Sequence, residues 1–481
     1  MTRFRPIGVL AALLAILAAV ATACGGSSGG GGSSGGAAAI VPGDAIAFIT
    51  VDTDTSSSQL KSAEAVLNEF PFHTKLMASL EKSLASSGNA NARQLINSVG
   101  PELDVAILKV NGKTTPVGFT KPTDSATFTA ALKDAKSEQI SGWTVFSTTQ
   151  AALDAVQNRT SNLSDDAGYK AASKTLSGDS LVTAFAGQKA FSLAVPLATK
   201  ASSGTLDVTP GALANVSKLN WLTADATSHD SGIEVDVHAN TVTSAPSAAG
   251  SSLSGEIPGG VLAAAAFNSS GSLSKLGPGA LTGASGSAIS GQVQKTLGVS
   301  LQDIVQAVNG PGILYLKAGL PLPEITIAIK PADAQQAEQT VGTLIGKLTK
   351  GAKATSVAVN GVTLQSVSLG PVTIYYGVWD GQLILTDSQT AIGELQSKGN
   401  RLADDDNYKA AAKASGLPSS ASTWLYIDLK DTIPAVESLV ALAGQKLPSN
   451  VGPNLQPLQT FVAYGSADGN TSTAALFLQA N

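Results

Sequence analysis

The chain has 481 residues, with 30 Lys or Arg against 35 Asp or Glu and a net charge of −5. Charged residues are only 14% and form no long basic run, so nucleic acid, which needs a Lys/Arg footprint, is not an expected partner. Apolar residues at 43% can still build folded cores, which argues against wholesale disorder.

The chain opens with Arg3 and Arg5, then an apolar run from Ile7 to Val20, then Ala21-Thr22-Ala23 before Cys24. A run of about 14 residues suits a signal-peptide core, whereas a membrane-spanning helix needs roughly 20. Residues 1–23 are therefore expected to be a lipoprotein signal peptide, with Cys24 as the acylated first residue of the mature chain. Ala21-x-Ala23 also fits ordinary signal-peptidase cleavage, and Leu is commoner than Ala at position 21 of such sites. Acylation explains better why Cys24 is the one cysteine present, since a lone exposed thiol outside the cytoplasm invites pairing between molecules. Acyl chains contribute about 0.8 kcal/mol per buried methylene, and two are enough for stable anchoring. The expected location is the extracytoplasmic face of the cell membrane, with the membrane as partner through Cys24. Removing Arg3 and Arg5 leaves 28 basic against 35 acidic residues, a mature charge of about −7. Residues 24–39, rich in Gly and Ser, read as a flexible tether with a reach of roughly 20 Å. No second cysteine exists, so packing alone must stabilise the fold.

From Ile40 onward the sequence repeats itself. Val41-Pro42-Gly43-Asp44 opens an apolar run from Ala45 to Val51, and Ile257-Pro258-Gly259-Gly260 opens another from Val261 to Phe267. Phe119 to Asp124 matches Ala328 to Asp333, each placing Lys-Pro between a strand-like run and a helical pattern. Val145 to Ala152 and Leu383 to Ile392 each read as a short strand leading into a helix. Leu163 to Ala172 matches Leu402 to Ala411. Both halves end in a closing strand, Ile233 to His238 and Ala474 to Leu478, each after a polar turn. Five correspondences in one order argue for duplication. The boundaries are residues 40–241 for the first copy, 242–255 for a Ser/Ala/Gly linker, and 256–481 for the second copy.

The expected fold class is α+β: two tandem related copies, each a largely antiparallel sheet with packed helices. Lys61 to Leu84 has helical spacing interrupted by Pro71. Leu103 to Val110 and Gly312 to Lys317 read as strands. Phe128 to Lys136 and Ala334 to Leu348 read as amphipathic helices. Asn360-Gly361 and Asp380-Gly381 are hairpin turns between alternating strands in the second copy. The first copy compresses this region to Ile140-Ser141-Gly142-Trp143, so its sheet is expected to be shorter by about two or three strands. Val145 to Thr149 then becomes an expected edge strand, free to pair with the other copy.

The run from Val41 to Asp52, the segments Leu163 to Ala172 and Leu402 to Ala411, and the downstream Trp424-Leu425-Tyr426-Ile427-Asp428-Leu429 resemble bacterial proteins grouped as domain of unknown function 3352. The resemblance implies a membrane-anchored or secreted protein of repeated organisation, and it supplies no catalytic residues. The second copy departs from the opening pattern, with Gly260 in place of the acid and Asn268 where an Asp is expected.

Each chemical motif has a plainer explanation. Asp165-Asp166 and Asp404-Asp405-Asp406 precede Tyr-Lys-Ala-Ala and suit helix capping better than cation binding. Asp52-Thr53-Asp54-Thr55-Ser56 resembles a calcium loop, but Ser57 and Ala63 stand where Gly and Glu are required. Ser58-x-x-Lys61, Ser79-x-x-Lys82 and Ser272-x-x-Lys275 lack the companion Lys-Thr-Gly of penicillin-binding enzymes. His73, His229 and His238 form no metal spacing. Trp143, Trp221, Trp379 and Trp424 fall on expected strands, where core packing is the default. No catalytic residue, cofactor or metal ligand is assigned, and Cys24 is the single site residue. The expected function is a non-catalytic binding or interaction module, with a carrier or chaperone for an apolar envelope ligand such as lipid as the alternative.

Overall fold

The computed structural model describes residues 36–75, 97–132, 135–192, 218–229, 231–242, 251–268, 299–319, 322–349, 351–370, 372–397 and 399–480, with a few isolated positions between them. The described residues form two compact units. The first holds those up to Ser244, with Pro448–Gln459 and those from Asn470 onward; the second holds the rest.

The first unit contains β1 (Ala47–Asp52), β2 (Glu102–Val110), β3 (Lys113–Thr120), β4 (Lys136–Ile140), β5 (Trp143–Ser147), β6 (Val182–Gly187), β7 (Leu219–His229) and β8 (Gly232–Thr241). They pair antiparallel in the order β4-β5-β3-β2-β1-β6-β7-β8. The second unit contains β9 (Val261–Asn268), β10 (Pro311–Lys317), β11 (Glu324–Ile329), β12 (Thr355–Val359), β13 (Val362–Leu369), β14 (Val372–Trp379), β15 (Gln382–Thr386), β16 (Thr423–Asp428) and most of β17 (Leu458–Asp468). Their order is β12-β13-β14-β15-β11-β10-β9-β16-β17, again antiparallel. The last strand, β18 (Thr471–Ala480), pairs with β8 from Thr471 opposite Asn240 to Gln479 opposite Gly232. The architecture is α+β.

Local sequence explains the turns. Asn360-Gly361 and Asp380-Gly381 both have positive φ at both residues, the two-residue hairpin geometry that Asn, Asp and Gly tolerate. Ser141-Gly142 adopts the same conformation, with φ of 51° and 81°. The helix Ala334–Leu348 occupies the range its periodicity predicts. The helix Ser58–Asn68 ends before Pro71, as a proline without an N–H requires. Residues 76, 77 and 80–84 of that predicted helix lie outside the described residues.

Four expectations need correction. The helix expected over Phe128 to Lys136 is Ser125–Ala131, and Lys136 instead begins β4. The region read as compressed holds the β4–β5 hairpin, whose Ser-Gly turn is a weaker signal than Asn-Gly. Val145 to Thr149 therefore provides no free edge: β5 bonds to β4 on one side and β3 on the other. All five residues of β5 are buried. Trp143 and Val145 join a core with Phe48, Leu153 and Trp221, whereas Phe146 packs with Leu103, Phe128 and Leu132. Burial on both faces explains its lack of charge. Ala37 to Ala39, placed in the tether by composition, form a 3-10 turn with Ala37 and Ala38 buried.

The seat of β18 is the least local feature of the first unit. Phe477 is 1% exposed, and Ala480 packs with Val66, Phe70 and Ile233. Phe477→Ala should destabilise the protein by about 3–5 kcal/mol, the range for emptying a buried aromatic site. Urea unfolding read together with limited proteolysis should place the new cleavage in Gly232–Thr241, β18's partner strand.

Candidate functional site

A pocket of about 530 Å³ lies in the first unit. Its base is aromatic. Tyr169 stands edge-on to Phe48 of β1, with ring centres 6.1 Å apart, and to Phe185 of β6 at 5.1 Å. A helix start holds Tyr169 in place: the Asp166 carboxylate accepts from the Tyr169 N–H at 2.8 Å. Burial, with the nearby Asp104 and Glu102 charges, pushes the Tyr169 phenol up to about 12, so it stays a neutral donor.

One rim is the turn after β1. Asp52 accepts from the Ser57 hydroxyl at 2.6 Å and from the Asp54 N–H at 2.9 Å. Ser57 caps the helix Ser58–Asn68 by accepting from the Leu60 N–H at 3.1 Å. Asp54 accepts from the Ser56 hydroxyl at 2.7 Å and its N–H at 2.8 Å, and these two bonds hold its carboxyl below the ordinary value. The calcium-loop look-alike is thus a capped strand-to-helix turn. The opposite rim is Ser177 to Ser180, where Asp179 accepts from the Ser58 hydroxyl at 3.1 Å. Asp52, Asp54, Glu102 and Asp179 line the space together with Lys170, so its walls are net acidic.

Beneath the pocket lies Asp104, fully buried in the middle of β2. Its two oxygens accept from the Thr50 hydroxyl at 2.5 Å and the Ala37 N–H at 3.1 Å. Burial first, and the Glu102 carboxyl second, push Asp104 well above the usual carboxylate range, and the bonds from Thr50 and Ala37 offset this only in part. In the second unit Tyr408 packs against Trp424 at 5.6 Å and Tyr426 at 5.3 Å, and Asp405 caps its N–H at 3.0 Å.

The structure disposes of most sequence candidates. Asp166 and Asp405 are caps; Asp165 and Asp406 make exposed contacts with Lys170 at 3.7 Å and Lys409 at 3.4 Å. Lys61 of the first Ser-x-x-Lys match donates to the Ser56 carbonyl at 2.6 Å. Lys82, Ser272 and Lys275 of the other matches, and Cys24 itself, lie outside the described residues. Trp143, Trp221 and Trp424 are buried and Trp379 is half-buried. His229 sits 3.5 Å from the buried Glu234, and His238 contacts Thr473 at 2.9 Å. Sequence reasoning missed Glu102, Asp104, Asp225 and Asp236. An acid inside an apolar strand, as in Leu103-Asp104-Val105-Ala106, was the available signal.

Among the described residues no helix is long and apolar enough to cross a membrane. A family model described as "Protein of unknown function (DUF3352)" matches residues 146–480, more than half of the chain. Among curated proteins none matches. Among solved structures, crystal forms IV, III and I of TP0453 are similar to 42% of this chain and to 79%, 78% and 77% of theirs. Identities are 8%, 8% and 10%, each with a TM-score of 0.23, too slight a likeness to carry an argument.

The position of Asp104 generates a pH prediction. A carboxyl whose folded value is raised favours folding while it is protonated. That contribution is complete below the unfolded value of 3.8 and is lost as pH rises through the folded one. Melting temperature should therefore fall more steeply as pH rises above 3.8 in the wild type than in Asp104→Asn. Equal slopes in calorimetry would show that Asp104 is ionised throughout.

Proposed function

We propose that this chain, which belongs to the DUF3352 family of proteins of unknown function, is a non-catalytic binding protein anchored through lipid on Cys24 to the extracytoplasmic face of the cell membrane. Its ligand is small, hydrophilic and positively charged, and it enters the first-unit pocket. The observation that carries this reading is the chemistry of the pocket wall: four carboxylates and several hydroxyls around an aromatic base. An apolar lipid would strip water from those carboxylates, at a cost of about 1–3 kcal/mol each.

We also read the two units as copies of one ancestral module. The same order of strand pairing supports it, as does the same Asp-capped Tyr on each first helical turn after Leu163 and Leu402. The clearest support is a repeated clamp. Leu163 donates to the Val41 carbonyl at 2.8 Å and Leu402 to the Ile257 carbonyl at 2.9 Å. On this reading β12 and β13 are an added hairpin of the second copy.

One observation favours the alternative, a carrier for an apolar envelope ligand. A groove of about 520 Å³ in the second unit is lined by Ala318, Pro323, Ala435, Leu439 and Leu442. The helix Leu429–Leu442 beside it has no fully buried residue.

Two experiments test these readings. Cys24→Ser should release the protein from the membrane fraction or leave it unprocessed; unchanged processing and membrane retention would refute the anchor. Native mass spectrometry of the full chain, purified from its own membranes, should find a small polar ligand that Asp54→Asn with Asp179→Asn fails to retain. Recovery of phospholipid in its place, lost on Leu439→Glu, would support the carrier.

A further inference from the structure

The polar groups of β7 and β8 reach deeper than the pocket. Asp225 and Asp236 stand directly opposite one another in the antiparallel pairing, and His238 follows two residues along on the same face of β8. One side-chain oxygen from each aspartate and one ring nitrogen from the histidine all lie within 4.8 Å of each other. Asp225 is 3% and Asp236 6% exposed. Asp225 Oδ1, Asp236 Oδ1 and His238 Nε2 are buried and make no hydrogen bond.

Such an arrangement is costly as it stands. Like charges directly across a strand pair destabilise it, and burial makes the repulsion stronger. Three unpartnered polar atoms converging on one point add the cost of lost hydration. Their surroundings are nevertheless organised. Asp225 Oδ2 accepts from the Ser177 N–H and the Ser180 hydroxyl, both at 3.3 Å, which leaves Oδ1 for another partner. His238 Nδ1 contacts the Thr473 hydroxyl at 2.9 Å, which orients the ring and leaves Nε2 for the cluster. A histidine fixed through one nitrogen and open at the other is the arrangement usual in metal-ligating imidazoles. Burial also lowers the basicity of His238, keeping the ring in its neutral, ligating form. Glu234, the next inward acid on β8, is taken up with His229 at 3.5 Å.

We propose that Asp225, Asp236 and His238 form a binding site for one divalent first-row transition cation, of which zinc is the representative probe. Two carboxylates balance a dication, and the imidazole favours such a metal over calcium or magnesium. Three protein ligands leave a fourth position open. Ser177 and Ser180 line the first-unit pocket as well as holding Asp225, so the cluster lies behind the pocket wall, and the metal enters from that side. On the reading of the units as copies, the fold does not require an aspartate at the position of Asp225. At the corresponding place between β16 and β17 of the second unit, Trp424 pairs with Tyr464 and Tyr426 with Val462, where the first unit pairs Thr183 with Asp225 and Phe185 with Thr223.

The test uses the full chain, stripped with chelator and titrated with zinc, manganese and calcium chlorides. Melting temperature and bound metal are read by calorimetry and elemental analysis. One equivalent of zinc should bind and raise the melting temperature, with calcium giving no comparable shift. Asp236→Asn and His238→Gln should each weaken zinc binding by more than about tenfold. Asp236→Asn removes the facing like charge, so its metal-free form should melt no lower than the wild type, which separates lost binding from lost folding. Absence of zinc binding by the wild type would overturn the site and leave a carboxyl pair that shares protons. Undiminished binding by Asp236→Asn and by His238→Gln would place the metal elsewhere and overturn it equally.

Discussion

Both units depend on how their opening strand is held. β1 lies between β2 and β6, and β9 between β10 and β16, so each is hydrogen-bonded on both sides by segments far along the chain. A short clamp before each strand sets its position. Gly43 donates to the Ser161 carbonyl at 2.9 Å, and Gly259 to the Asn400 carbonyl at 2.7 Å. The approach is too close for a side chain: a Cβ on Gly43 would lie 2.6 Å from Ser161 Oγ, and one on Gly259 2.7 Å from Asn400 Oδ1. This is the physical reason for Pro-Gly at the head of each run. With the opening strand fixed, the Asp-capped helix that follows the clamp must lie over the sheet, and it brings Tyr169 or Tyr408 onto the aromatic side chains there.

The units then differ in what fills that face. In the second, Tyr408, Trp424 and Tyr426 pack ring against ring, and each such pair contributes about 0.5–1.5 kcal/mol beyond its burial. In the first, a carboxyl is buried in β2 and three more in β7 and β8, whereas the second buries only Asp428 among its described carboxyls. Burial pushes Asp225 up to about 6, and burial with the Asp225 charge pushes Asp236 up to about 7. Groups of this kind cost stability unless a proton, a donor or a cation answers them. Of the five buried carboxyls among the described residues, four lie in the first unit.

Edges are managed by completing the sheet. β18 covers β8 along nearly its whole length, and the pairing is reinforced by contacts of Asn240 and His238 with the Thr471 and Thr473 hydroxyls. An unpaired β8 would expose a row of backbone donors and acceptors. The opposite end of the first unit is β4, a short strand carrying Lys136 and Glu138, which suits an edge.

Some of this was legible in the sequence, because it depends on near neighbours. The hairpins at Asn360-Gly361 and Asp380-Gly381, the helix Ala334–Leu348 and the Asp caps of Tyr169 and Tyr408 are set within a few residues, where turn chemistry and capping act. The fate of β5 was not local. Val145-Phe146-Ser147 reads equally well as an edge or as a doubly buried strand, and only the packing of Phe128 on one face and Leu153 on the other decides between them. The same holds for the acids. Asp104, Asp225 and Asp236 are ordinary residues in ordinary strands until the strand order brings Asp225 opposite Asp236, two residues from His238. The sequence determined which segments could be strands, turns and caps. The tertiary structure alone decided which strands lie at the centre and which side chains share a buried face, because both depend on pairing between segments that are remote in the chain.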